Sequence, residues 1–164
     1  VVGLTALQDI TFLSDIVDRL LDLRMYYDEY RPILLKVSPD LSHEQLDEII
    51  DYCLRSGIDG LVAGNTTRSR DGITSISKEK IEEIGNGGLS GAPLHNKNLE
   101  LVRYVHAKSE GKLPIIGVGG IMTPQQAKDM LDAGASLVEI YSGFIYEGPG
   151  LIKKILKYLE QGIK

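Results

Sequence analysis

Four short apolar runs, each followed by a stretch of helical spacing, restrict what this 164-residue chain can fold into. The runs are residues 32–38, 58–64, 113–118 and 136–141. Apolarity this continuous over so few residues marks strands buried on both faces, as in a parallel sheet. Helical spacing covers residues 7 to about 25, 42–56, 98–109, 123 to about 134 and 151 to about 161. Its ends are signalled chemically. Ser42-His43-Glu44-Gln45 resembles a capping box, Gly57 is a stop, and Thr123-Pro124-Gln125-Gln126 places a cap, a first-turn Pro and a Gln in order. Strands alternating with helices require crossover connections, so the chain is α/β with a parallel sheet.

The connections that follow strands are the polar, Gly-rich ones, above all residues 65–95, whereas those leading into strands are short. That asymmetry predicts a (β/α)8 TIM-barrel type, in which the loops after the strands build the site, with about four of its eight strand–helix units present. Composition narrows the function classes. With 18 basic against 23 acidic residues, net charge −5 and no Trp, the chain offers no dedicated nucleic-acid surface. No apolar run approaches the roughly 20 residues of a membrane-spanning helix. The single Cys53 can form no internal disulfide and has the helical spacing of a buried structural thiol. The chain opens Val1-Val2-Gly3-Leu4, without an initiator Met or a signal-type segment, and is expected to begin inside a longer sequence.

Two glycine turns stand out as ligand sites. Gly117-Val118-Gly119-Gly120-Ile121 runs from the third strand into the Thr123 helix start, and Tyr141-Ser142-Gly143 ends the fourth. Either alone is explained by a tight turn. Together, at adjacent strand ends, they point to a phosphate held by backbone N–H groups. Lys36 lies inside an apolar strand, where an unpaired charge is costly, so it either snorkels or points into a polar pocket; its place near the strand's C-terminal end favours the pocket. Asn65-Thr66-Thr67 could hydrogen-bond a small planar polar ligand, or simply form a turn. Gly87-Gly88-Leu89-Ser90-Gly91 is consistent with a flexible loop or with one folded over a ligand. Arg68, Arg70 and Asp71 have the pattern of solvated loop charges, and His43 and His106 that of surface residues; His95 adjoins the expected active face. No metal-ligand spacing and no Ser/His/Asp set is visible.

Six segments in order resemble one family: Leu34-Leu35-Lys36-Val37-Ser38-Pro39-Asp40-Leu41, residues 60–67, Gly87-Gly88-Leu89-Ser90-Gly91-Ala92-Pro93-Leu94, residues 115–121, residues 134–142, and Gly148-Pro149. This series is similar to dihydroorotate dehydrogenase, and the Gly-Gly-Leu-Ser-Gly-x-Pro-Leu form to its quinone-dependent class 2. Gly3-Leu4 and Leu7-Gln8 fit as well, so the resemblance spans essentially residues 1–164, which it identifies as the C-terminal half of an FMN-binding barrel domain. It implies oxidation of dihydroorotate to orotate in pyrimidine synthesis, with hydride passing to FMN and electrons then to quinone. By position, Lys36 would lie against the flavin's pyrimidine edge, and Asn65 and Thr66 would bind orotate. Gly91, Gly120, Tyr141 and Ser142 would hold FMN, the last three around its phosphate.

Departures from the family pattern accompany the match. Gly64 stands at a flavin-binding position where Thr is usual, so a side-chain contact is lost. Ser142 replaces Thr but keeps the hydroxyl, and Thr5 stands where class 2 commonly has Arg. The resemblance puts the catalytic base, Ser or Cys, upstream of Val1, together with the rest of the barrel and any helices that dock on a membrane. The expected location is therefore the cytoplasmic side, peripheral to a membrane for class 2 and simply cytoplasmic otherwise. The 164-residue chain alone is expected to bind FMN weakly and to lack turnover. Alternatives are another FMN barrel, class 1 or dihydropyrimidine dehydrogenase-like, and a non-catalytic half-barrel that binds a phosphorylated ligand or dimerises to complete eight strands.

Overall fold

The computed structural model of the chain describes residues 9–71, 73 and 76–162. Gly3, Leu4, Thr5, Leu7 and Gln8, where the first helix and the family match were expected to begin, lie outside the described residues. The first helix, α1 (Ile10–Arg24), is capped by the Asp9 carboxylate, which accepts from the Thr11 N–H at 3.0 Å. It is followed by β1 (Leu34–Val37), α2 (His43–Ser56) and β2 (Gly60–Ala63). In α2 the capping box forms as the sequence predicts, and Gly57 closes the helix in the left-handed region at φ 80°. The long connection contains α3 (Lys78–Ile84) and a 3-10 turn (Ala92–Leu94) that leads into α4 (His95–Lys108). Then come β3 (Ile115–Val118), α5 (Pro124–Asp132), β4 (Leu137–Glu139), α6 (Ser142–Glu147) and α7 (Gly150–Gln161).

The four strands are parallel and lie in the order β1-β2-β3-β4. Every crossover therefore advances by one strand. That is the wall of a barrel, whereas a doubly wound sheet reverses its order midway. Helices α1, α2, α4, α5 and α7 pack side by side in the same sequence, so they form one layer on one face of the sheet. Between the layers lies the core, with Ile49, Ile50 and Cys53 of α2, Val102 and Val105 of α4, Met130 of α5 and Leu151 of α7 against Val37, Leu61 and Ile115 of the strands. The other, concave face carries a registered row, Lys36–Val62–Ile116–Leu137, that is not buried.

The end of the sheet where the strands begin is laced by Asp59. Its carboxylate accepts from the Arg24 guanidinium and from the Ile33 N–H, both at 2.7 Å, and from the Tyr30 hydroxyl. Burial works against that charge, but these three donors outweigh it and hold the carboxyl below the usual range.

Two helices were not visible in the sequence. Helix α3 buries no residue and has only Ile81 and Ile84 as an apolar stripe, too thin for a periodic signal. Helix α6 has six residues, too few for a period to show. Arg70 also departs from expectation. It is half-buried rather than solvated, and its guanidinium donates to the carbonyls of Thr67, Arg68 and Ser69 on one side of the excursion and of Gly85 and Gly87 on the other.

Candidate functional site

A cleft of about 290 Å³ opens on the concave face at the C-terminal ends of the strands. Strands β1, β3 and β4 contribute Lys36, Val118 and Glu139 to it, and β2 contributes through the loop that follows it. Lys36 of β1 lines it, so the side chain that interrupts an apolar strand points into a pocket. Its neighbours Leu35 and Val37 point the other way, toward the helices, because side chains alternate along a strand.

After β2 come Gly64, Asn65 and Thr66, all lining the cleft. Gly64 donates its N–H to Val118 at 3.1 Å, and packing dictates its identity. A Cβ there would lie 2.8 Å from Leu101 Cδ2 and 2.9 Å from Asn98 Oδ1. Asn98 is fully buried, and its Nδ2 donates to the carbonyls of Val118 at 2.7 Å and Asn65 at 3.5 Å, joining the mouths of β2 and β3. Sequence reading passed over this residue. The signal was an Asn on the apolar stripe of α4, among Leu94, Leu101, Val102 and Val105. Asn65 accepts from the Thr66 N–H through Oδ1 at 2.9 Å, which leaves its NH2 group as the donor for a ligand.

The two glycine turns meet. Gly119 and Gly120 follow β3 with φ 107° and 74°, a region open to Gly at little cost. A Cβ on Gly120 would sit 2.2 Å from the His95 backbone nitrogen, so the turn presses directly on the start of α4. After β4, Tyr141 and Ser142 line the same cleft and Ser142 opens α6. The expected turn is thus a helix start, whose first N–H groups have no intrahelical acceptor. A Cβ on Gly143 would lie 2.2 Å from the Ile121 carbonyl oxygen, which fixes the second turn against the first. Gly91 completes this end of the cleft at φ 87°, where a Cβ would meet only Ser142, 3.9 Å away.

Ser90, in the stretch read as a loop that could fold over a ligand, also lines the cleft, as do Leu94 and Glu139, which were missed. Glu139 stood in plain view as an acid closing an apolar run. The Gly87–Gly91 stretch is not free, because Thr67 and Leu89 exchange backbone hydrogen bonds of 3.1 and 2.7 Å. His95 is absent from the cleft wall. It is buried at the start of α4 with Nε2 3.8 Å from Asp129, and burial pushes its pKa down against that carboxylate's pull. His43 and His106 are exposed, and Cys53 is buried, its thiol pushed up to about 12 by burial. Among the described residues no group of His, Cys, Asp and Glu could hold a metal. The site thus offers a cradle of backbone donors at one end and a cation, an amide and a hydroxyl at the other. An elongated ligand with an anionic end and a planar polar body matches that layout.

The sequence profile of the dihydroorotate dehydrogenase family matches residues 2–163. The dihydroorotate dehydrogenase (quinone) of Christiangramia forsetii is 47% identical over 162 residues, covering 98% of this chain and 46% of the relative. That of Proteus mirabilis is 42% identical over 154 residues, covering 94% of this chain and 44% of the relative. Among solved structures, ligand-free DHODH from Eimeria tenella superposes with a TM-score of 0.86 at 32% identity, over 96% of this chain and 46% of that one. The same organism's DHODH in complex with ferulenol gives 0.87 at 30% identity with the same coverage. The chain spans about half the length of the curated relatives it matches.

Proposed function

The chain belongs to the dihydroorotate dehydrogenase family, and we propose that it forms the flavin-gripping, C-terminal half of a barrel that oxidises dihydroorotate to orotate. The observation that carries this reading is the contact of the two glycine turns, Gly143 on Ile121, at the far end of a cleft that also holds Lys36. The residues present fit FMN. The Gly120 turn leaves no room for a side chain, Gly91 stands open opposite Ser142, and the first N–H groups of α6 face no helical partner. Bound FMN supplies the hydride acceptor for the substrate's C–H bond.

The protein groups divide the remaining work. Backbone N–H groups of Gly120, Tyr141 and Ser142, with the Ser142 hydroxyl, would hold the phosphate, with Gly91 at the same end of the cleft. Lys36, lining the cleft, would place a cation beside the ring of a bound flavin, where a positive charge favours an electron-rich ring. Asn65 donates through its NH2 group and Thr66 through its hydroxyl to the pyrimidine of the substrate. The cleft's titratable groups among the described residues are Lys36, Glu139 and Tyr141. We place the acceptor of the substrate's proton outside these 164 residues, in the half of the barrel they do not supply.

Quinone is the proposed electron acceptor, after the relatives. Among the described residues no helix is long and apolar enough to cross a membrane. Anaerobic addition of dihydroorotate to the purified flavoprotein with its complete barrel, rather than to these 164 residues alone, tests the reading. Bleaching of the flavin and its reoxidation by a soluble quinone are expected, and Lys36→Met should slow the bleaching at least about tenfold, the effect of losing one charge-assisted contact. A protein that retains FMN but does not respond to dihydroorotate would refute it, and reoxidation by fumarate or NAD alone would move it to class 1.

A further inference from the structure

Thr66 is an exposed residue on a loop, yet its surroundings fix it from three sides. Its hydroxyl rests on the backbone of Gly88. A Cβ built there would lie 2.0 Å from Thr66 Oγ1 and 2.6 Å from its Cβ, and Gly88 is not in the left-handed region. The next residue, Thr67, is buried and its backbone is paired with Leu89. The Thr67 hydroxyl donates to Asp40 Oδ1 at 2.5 Å, and the same carboxylate accepts from the Arg68 N–H at 2.7 Å and from Lys97 Nζ at 2.5 Å. Lys97 Nζ also lies 3.0 Å from Thr67 Oγ1. The loop after β1, the loop after β2, the Gly87–Gly91 segment and the first turn of α4 therefore converge on the residue that follows Thr66. Gly88, Asp40 and Lys97 do not line the cleft themselves.

We propose that Gly88, Asp40 and Lys97 are positioning residues that set the placement of Asn65 and Thr66 and so govern affinity for the pyrimidine substrate, without governing retention of the flavin. The inference rests on the reading of Asn65 and Thr66 as the substrate-binding pair. Asp40 acts as a hub, since a carboxylate can accept all three donors at once whereas the isosteric amide cannot. Gly88 acts by absence. Any Cβ there has to displace the Thr66 side chain, and Gly88 is not in the left-handed region that would itself disfavour an alanine.

The test compares Gly88→Ala, Asp40→Asn and Lys97→Met with the unaltered flavoprotein. Orotate is titrated against the flavin absorbance, FMN content is measured after gel filtration, and the KM and kcat for dihydroorotate are separated. Gly88→Ala and Asp40→Asn should each weaken orotate binding and raise KM about tenfold, the effect of one or two hydrogen bonds. Both should leave FMN content unchanged and kcat within about twofold, as loss of binding common to ground and transition state does. Lys97→Met should do the same to a smaller degree. Unchanged orotate affinity in Gly88→Ala and Asp40→Asn overturns the proposal, and so does a parallel loss of FMN and orotate, which would mark a purely structural role. Should Gly88→Ala lose its fold, Asp40→Asn carries the same decision. Asn65→Ala separates the two levels. If it binds orotate normally, the reading of the substrate pair fails; if it abolishes binding while the positioning variants bind normally, only this inference fails.

Discussion

At Gly64 and Gly120, single residues are decided by what stands behind them. Gly64 lacks a side chain because Leu101 and the buried Asn98 fill the space, and Asn98 in turn ties the carbonyls of Val118 and Asn65. The absence of a side chain at this position is thus a consequence of packing in this chain. Gly120 combines a positive φ with a Cβ position inside the backbone of His95. Gly120→Ala therefore has to move the start of α4 or the turn itself, on top of the roughly 1–2 kcal/mol that L-residues lose in the left-handed region. The expected result is near-complete loss of FMN on gel filtration, whereas Ser142→Ala, which removes one hydroxyl, should weaken FMN only about tenfold. Equal retention of FMN by Gly120→Ala and the parent protein would remove the phosphate from this turn. Gly120 and Ser142 were named from the sequence because two such turns stand together at adjacent strand ends, and Gly64 was named only through the family resemblance. Asn98 and Glu139 were not, because nothing local distinguishes an Asn or Glu that faces a cleft from one that faces solvent.

The helices form where local chemistry asks for them. Ser42 and Thr123 both complete capping boxes, each accepting from the third helical N–H at 3.3 Å while Gln45 and Gln126 reach back to the cap. Gln126 Oε1 also accepts from the Met122 N–H at 2.8 Å, so the α5 cap stiffens the segment that continues from the Gly119-Gly120 turn. Ser42→Ala and Thr123→Ala should each cost about 1 kcal/mol of folding free energy in denaturant titration. Only Thr123→Ala should also lower FMN affinity, and an equal effect of the two on FMN would dissociate the α5 cap from the phosphate turn. The boundaries of these helices were legible to within a few residues. Helix α4 began three residues early, because the 3-10 turn through Pro93 feeds it directly. Helices α3 and α6 escaped because one buries no residue and is tied only just past its C-terminal end, through Arg70, and the other is shorter than two turns.

Taken as a whole, the molecule is one wall of a barrel with helices on its convex side and an open concave face. Leu34 and Leu137 on that face are 38% and 62% exposed, and β1 and β4 are sheet edges among the described residues. Unpaired strand edges beside exposed apolar side chains invite association. The 164-residue chain expressed alone should bind an apolar dye such as ANS, self-associate, and show no dihydroorotate oxidation. A dye-silent monomer with turnover would contradict both this and the placement of the proton acceptor elsewhere. The sequence by itself determined the class of fold, the order of the units, the helix caps and the glycine turns, because periodicity, capping and φ preferences act over a few neighbouring residues. It also determined the family, through six motifs in order. Only the tertiary structure decided that Lys36 lines the cleft, that Gly143 lies on Ile121, that Asn98 excludes a side chain at Gly64, and that Asp40, Gly88 and Lys97 converge on Thr66 and Thr67. Those contacts join residues 22 to 57 positions apart, and their geometry is set by parallel strands coming into register, which no local pattern encodes.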